Sequence, residues 1–280
     1  MNYFRAAIII PALIYPSEQV SRLLPQLTKE DQLIVVISSQ SYEREHNNNT
    51  KNISIVIENE VSGAGHARNV GVRSLKGKPR ALLFCDGDDC VESNWVSNLL
   101  APLLKRSADI VSGPLIISNL KGEKKQVTPE IDFWYRQAVF GSNMGLTFEA
   151  WQKLGGFDDS LRYCEDTDIA WRSKSLDLNI QITENALVYY TLKPRFKEFV
   201  QRFQWGRASV KLLHKHGVPL SHLPKLSVLI AHKRASGFAS NPILAAVAQW
   251  IGQNVGMLII ELGKIAFIRE NPGKNRLVNG

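Results

Sequence analysis

Four short apolar runs mark the first third of the chain: Ala6–Ile10, Leu33–Ile37, Ile53–Ile57 and Ala81–Cys85, each giving way to polar or turn-forming residues. Continuous runs of this kind, without apolar–polar alternation, are what strands buried on both faces require. Helix-compatible stretches, Glu18–Leu27 and Ala64–Lys76, lie between them. The alternation predicts a largely parallel sheet flanked by helices. Further on, Ser93–Arg106 reads as a helix that buries Trp95, Leu99, Leu100, Leu103 and Leu104, and Ala108–Ser118 as one more strand. A helix opening at Thr147 ends at Gly155 and Gly156, which can take a left-handed capping geometry, and another opens near Cys164. The polar stretches Glu43–Asn52 and Asn119–Asp132 read as loops.

The pattern changes in the last third, where an uncharged run extends from Ala235 to Ile260. Gln249, Gln253 and Asn254 interrupt it, and Glu261 and Lys264 follow closely. Positions 249, 253 and 264 fall roughly along one stripe. That predicts an amphipathic helix, packed against protein (a second subunit in a homodimer included) or lying in a membrane interface, in preference to a span. The opening "MNYFRAAIIIPALIYP" mimics a signal peptide, but Pro11 breaks the apolar run and no small-x-small site follows, so it is read as the first strand.

Charge sharpens this division. The formal net charge is +8, yet from Thr191 onward there are 14 lysines and arginines against three acids, and before it 20 against 23. The basic character therefore belongs to the tail, as a solvated basic surface or as the seat of an anionic partner such as phospholipid or a phosphorylated substrate. No nucleic-acid partner is expected. Cys85, Cys90 and Cys164 have neither C-x-x-C spacing nor an even count, which argues against a zinc site or a disulfide framework and fits a reducing cytoplasm.

Candidate chemistry concentrates after the fourth run, in "LLFCDGDDC". A strand ending at Cys85 presents Asp86 at the carboxyl edge of an α/β sheet, where ligands gather, with Asp88 two residues on and Gly87 allowing the turn. Two carboxylates held that close repel unless a cation sits between them, and Mg²⁺ or Mn²⁺ takes such oxygen ligands. The plainer reading is a solvated turn, with Asp89 or Glu92 capping the next helix. "SGAGHARNVGV" sets Gly63 and Gly65 before a helix with Arg68, a pattern able to hold phosphates, although arginine at 68 removes the third glycine of the dinucleotide fingerprint. "CEDTDIAWR" places Glu165 and Asp166 at a helix start, either as ionised carboxylates able to take a hydroxyl proton or as caps, Asp168 included.

The order of "AAIIIPAL", "GAGHARNVGV", "LLFCDGDD", "GSNMGLTFEAWQKLGGFDDSL" and "CEDTDIAWR" resembles the family-two glycosyltransferases, from roughly Ala6 to Gly217. The resemblance implies the α/β GT-A fold: a Rossmann-like, mostly parallel sheet flanked by helices, with a C-terminal helical extension. With the charge division it implies a catalytic domain over 1–195, of which 1–115 binds the nucleotide-sugar and 116–195 the acceptor, and a basic helical extension over 196–280. It implies an inverting, metal-dependent transfer of a hexose-type sugar from a nucleotide-diphosphate donor to a hydroxyl of a saccharide or lipid-linked acceptor. Cell-surface polysaccharide or glycolipid synthesis would follow, in the cytoplasm and peripherally at the inner face of the membrane.

By the same resemblance, Asp86 and Asp88 are the metal motif, with Gly87 between them at the donor, and Pro11, Ala12 and Ser38 border the nucleotide pocket. Arg68 helps hold the nucleotide end, Asp166 is the catalytic base, and Glu165 orients the acceptor or Asp166. Two departures stand out. Ser38 and Ser39 replace the acidic pair that usually bonds the base, which removes charge there. Tyr189 or Tyr190 stands where a histidine is common, leaving His214 and His216 as candidate third ligands against a plainer reading as helix-surface histidines. Two other functions remain open at this point. "LLFCDGDD" also resembles the nucleophile strand of haloacid-dehalogenase phosphohydrolases, and the serine replacement fits a non-catalytic binding protein that keeps the GT-A fold.

Overall fold

The computed structural model describes residues 3–39, 53–60, 63–118, 124–129, 139–190, 192–236, 239 and 241–270, with side chains in the last helix described as far as 262. The expected loop 43–52 lies outside these residues. The chain divides into two compact units, Met1–Leu192 and Lys193–Gly280.

The first unit is built on β1 (Tyr3–Ala12), α1 (Ser17–Leu23), β2 (Asp31–Ser38), β3 (Ile53–Glu58), α2 (Ala64–Arg73) and β4 (Lys78–Cys85). They are followed by β5 (Cys90–Val91), α3 (Trp95–Leu104), β6 (Ile110–Ser112), β7 (Leu115–Ser118), β8 (Lys124–Val127), β9 (Asn143–Thr147), α4 (Phe148–Leu154), α5 (Glu165–Ser175), β10 (Ile180–Ile182) and β11 (Val188–Tyr190). Seven strands form one sheet in the order β10-β6-β9-β4-β1-β2-β3, and β5-β11-β7-β8 form a second. β1 pairs in parallel with β2 and β4, and β2 with β3. Their carboxyl ends, Ala12, Ser38, Glu58 and Cys85, therefore share one sheet edge. Ile8–Ile10, Leu33, Val35–Ile37 and Ala81–Cys85 have no exposed surface, which is why these strands are continuous apolar runs.

Two expectations need correction. The run Ala108–Ser118 is not one strand: it leaves the first sheet after Ser112 and joins the second at Leu115. Part of the expected loop 119–132 is strand β8, antiparallel to β7, while 119–123 and 130–132 lie outside the described residues. β9 was not anticipated at all. It runs antiparallel between β4 and β6, and its buried Asn143 ties the two sheets together. The Asn143 amide donates to the carbonyls of Pro114 (2.9 Å) and Ala186 (2.7 Å) and accepts from the Trp95 indole (2.7 Å).

The second unit comprises α6 (Arg195–Lys215), α7 (Leu226–Ser236) and α8 (Pro242–Glu270). α6 and α8 approach closely through small residues: a Cβ on Gly206 would lie 2.1 Å from the Gln249 carbonyl oxygen, and one on Gly252 would lie 2.0 Å from that of Phe203. In α8, Gln253 is 2% exposed, whereas Ile243, Leu244, Trp250, Ile251, Leu258 and Ile259 are exposed together with Asn254 and Glu261, so much of the outward surface of the described helix is apolar. Among the described residues, Pro242–Leu262 is the one stretch long and apolar enough to cross a membrane, with a mean hydropathy of 1.6.

Candidate functional site

Arg68 is the centre of the candidate site. It projects from α2 and is 1% exposed. Its Nη2 donates to Asp86 Oδ1 at 2.6 Å and its Nη1 to Glu165 Oε1 at 2.8 Å, while the guanidinium lies 5.3 Å from the ring centroid of Phe157. Phe157 is fixed in turn by a triangle with Phe84 and Trp151, with centroids 5.5 to 5.6 Å apart. Burial alone would ease the proton off Arg68. Asp86 and Glu165 outweigh it and raise the guanidinium's affinity for its proton above the ordinary value.

Asp86 leaves the carboxyl end of β4 beside the end of β1. The amide of Gly87 donates to the Pro11 carbonyl at 3.1 Å, and a Cβ on Gly87 would sit 2.9 Å from that of Ala12. Only glycine lets the two strand exits lie this close. Pro11, Ala12, Asp86, Gly87 and Asp88 therefore occupy one place, with Ser38 along the same edge one strand further on. Ser38 pairs in register with Glu58, which returns a carboxylate to the neighbouring strand end. Gln19, 1% exposed, props the turn: its amide contacts the Asp86 carbonyl at 3.4 Å and accepts from the Val91 amide at 3.1 Å.

Asp89 joins the acidic group and does not serve as a solvated cap. It is 3% exposed, and carboxylate oxygens of Asp86, Asp88 and Asp89 all lie within 4.8 Å of one another. Three hard oxygen donors at that spacing suit a divalent cation of the Mg²⁺ or Mn²⁺ type. His214 and His216 are at the end of α6 in the second unit. Tyr189 donates its hydroxyl to Glu92 at 2.8 Å, with Lys124 5.1 Å above its ring.

Across Arg68 lies the start of α5. Cys164 precedes it with φ +63°, a left-handed conformation unusual for a residue with a side chain. The turn that follows buries Glu165, Asp166 and Asp168. Asp166 Oδ2 accepts from the Gly141 amide at 3.0 Å and Oδ1 from the Thr167 amide at 2.7 Å. Asp168 is paired with Arg172 at 2.7 Å. Burial first, and Asp166 next, raise the Glu165 carboxyl from 4.5 to about 7 against the opposing pull of Arg68.

The glycines before Arg68 are not an open phosphate cradle. A Cβ on Gly63 would meet Arg162 at 2.9 Å and one on Gly65 would meet Glu165 at 2.9 Å, so their smallness brings α2 against α5. Arg68, expected to help hold the nucleotide end, has its side chain buried between the Asp86 and Glu165 carboxylates. Gly141, Gln19 and Asn143 were missed. "GSNMG" carried the only signal, small and polar residues inside a buried segment.

A family model described as glycosyl transferase family 2 matches residues 17–156. Among curated relatives, the succinoglycan biosynthesis protein ExoA of Rhizobium meliloti is 29% identical over 34% of this chain and 28% of its own length. The pre-mycofactocin glycosyltransferase of Mycobacterium tuberculosis is 22% identical over 55% of this chain and 36% of its own. The matches thus span about a third of those relatives. Among solved structures, the mannosyltransferase PcManGT from Pyrobaculum calidifontis, in complex with GDP-Man and Mn²⁺, superposes with a TM-score of 0.56 at 16% identity, covering 97% of this chain and 82% of its own. S. aureus TarS in complex with UDP gives 0.55 at 16%, over 93% and 92%. At these identities the likeness speaks for the fold, a central sheet flanked by helices with a helical C-terminal part.

Proposed function

The chain belongs to glycosyl transferase family 2, and from that premise we propose that it moves a sugar from a nucleoside-diphosphate sugar to an acceptor hydroxyl with inversion at the anomeric carbon. One observation carries the reading: a single buried arginine joins Asp86 of the acidic triplet to Glu165, with Asp166 adjacent, so both halves of a transfer site share one cluster. Asp86, Asp88 and Asp89 hold Mg²⁺ or Mn²⁺. When bound, the metal supplies positive charge against the departing nucleoside diphosphate. Pro11, Ala12, Gly87 and Ser38 wall the donor at the sheet edge. Asp166 accepts the acceptor's proton, its carboxylate aimed by the Gly141 and Thr167 amides. Glu165 orients Asp166 and the acceptor, and Arg68 positions Asp86 and Glu165 without touching the donor.

The structural neighbours were solved with uridine and guanosine donors, so the base is to be found by experiment. The exposed apolar face of α8 and the basic tail favour contact with an anionic membrane, peripheral and on its cytoplasmic side, where a lipid-linked saccharide acceptor would be met. Calorimetric titration with UDP- and GDP-sugars tests the core of the reading. One donor should bind only with Mn²⁺ or Mg²⁺ present, and Asp88→Asn should weaken it about tenfold or more. No binding across a full panel would overturn it.

A further inference from the structure

The second unit contains a buried charge cluster with the opposite imbalance. Arg202 on α6 is 1% exposed, Glu198 one turn earlier is 4% exposed, and Lys233 on α7 is 5% exposed. Arg202 donates to Glu198 at 3.2 Å. The Arg202 guanidinium lies 4.6 Å from the Trp205 ring centroid and the Lys233 ammonium 6.0 Å from the same centroid, so two cations share one aromatic ring. The unit holds three acids in all: Glu198, Glu261, which is exposed on α8, and Glu270. Glu198 bonds Arg202 and also favours the charged form of Lys233, so one carboxylate faces two cations. Lys233 makes no hydrogen bond to any described residue; the indole face is its partner. A buried ammonium without an acceptor is unfavourable unless an anion meets it or it gives up its proton. Trp205 is only partly buried, so the cluster reaches the surface along the indole.

We infer that Arg202, Lys233 and Trp205 form a site for a phosphate oxyanion, separate from the donor site of the first unit. A guanidinium and an ammonium beside the same indole are both charge-assisted donors that a phosphate can accept from. Glu198 takes up part of the arginine's charge, which suits a phosphate monoester or diphosphate terminus better than a highly charged polyanion. The ligand is either a free phosphate or the headgroup of a phospholipid or lipid phosphate. α8, with its exposed apolar face, packs against both helices that carry the cluster.

The test uses the full chain in EDTA, so that metal-dependent binding at Asp86 and Asp88 is silent. Inorganic phosphate and diphosphate are titrated with calorimetry and tryptophan fluorescence, beside phosphatidylcholine vesicles with and without phosphatidic acid. Saturable binding should fall about tenfold or more in Lys233→Met and persist in Lys233→Arg. Lys233 dependence with the soluble anions assigns a free phosphate, and dependence confined to phosphatidic acid vesicles assigns a headgroup. Asp88→Asn should leave this binding intact, which separates the outcome from the fate of the transferase proposal. No saturable binding, or binding that Lys233→Met leaves unaltered in both arms, overturns the inference. Circular dichroism and thermal unfolding of each variant establish that loss of binding is not loss of fold.

Discussion

Each unit buries an arginine among charged side chains, and the two do so with opposite remainders. Arg68 is one cation among Asp86, Glu165 and Asp166, and it packs against Phe157. Arg202 has one carboxylate, Glu198, and a second cation, Lys233, across a shared indole. Buried charge is tolerated only when it is balanced, so a surplus of one sign is a statement about what must come from outside. The first cluster is left wanting positive charge and the second negative. On these two proposals, the same residue type on the same kind of aromatic support would serve a metal-assisted site in one place and an anion site in the other.

The largest effect expected is on the acid side of the first cluster. Asp166→Asn keeps the side chain's size but can accept from only one of the Gly141 and Thr167 amides, and it removes the proton acceptor, so it should lower kcat by about 10²–10⁴-fold with donor binding retained. Steady-state transfer assays, paired with donor calorimetry, check it. Full activity in Asp166→Asn would move the base elsewhere. Arg68→Met should come next: it strands Asp86 and Glu165 against each other and should cost about 3–5 kcal/mol in denaturant unfolding, with donor affinity lost as well. Arg68→Lys, which cannot fork to two carboxylates, should recover only part of either.

Glu165 gives a pH signature. Burial, with Asp166 next to it, pushes its carboxyl up to about 7, so kcat/KM should rise through that pH as Glu165 ionises. Glu165→Gln should remove that rise and lower the plateau. Stability moves the other way. The unfolded chain releases this proton near 4.5 and the folded protein near 7, so over that window the native state holds more protons and this group's contribution falls as pH rises. A flat rate profile between pH 5 and 8 would contradict the arrangement.

How much of this was readable beforehand follows from what each feature depends on. β1, β2 and β4 show themselves because burial on both faces leaves no polar position to interrupt them, and Asp86 follows as the first charge after such a run. β9 does not, because "NMGLT" has no propensity signature and is made a strand by the gap between β4 and β6 that it fills. That Gly65 serves the contact with Glu165, and Arg68 the bridge to it, depends on two segments about 100 residues apart meeting, which no local pattern encodes. Lys233 was hidden for a different reason: in a tail so rich in lysine and arginine, composition predicts a solvated cation, and only the packing of α7 shows it to be buried.

The smallest effect isolates that lysine without its ligand. Burial, with Arg202 adding to it, holds the Lys233 ammonium well below its ordinary value of 10.5. In phosphate-free buffer the folded protein therefore gives up this proton at a lower pH than the unfolded chain does. Between the depressed value and 10.5 this group makes stability rise with pH. Lys233→Met has neither the cost nor the titration, so it should be more stable than the parent by about 1–3 kcal/mol near neutral pH, with the gap narrowing as pH climbs toward 10. Added phosphate should narrow the gap from the other side, by stabilising the parent alone. Chemical denaturation at a series of pH values, with and without phosphate, reads both. A gap that phosphate leaves unchanged would mean that the surplus charge of this cluster is met by loss of a proton and not by an anion, and the contrast between the two arginine clusters would then be one of titration rather than of ligands.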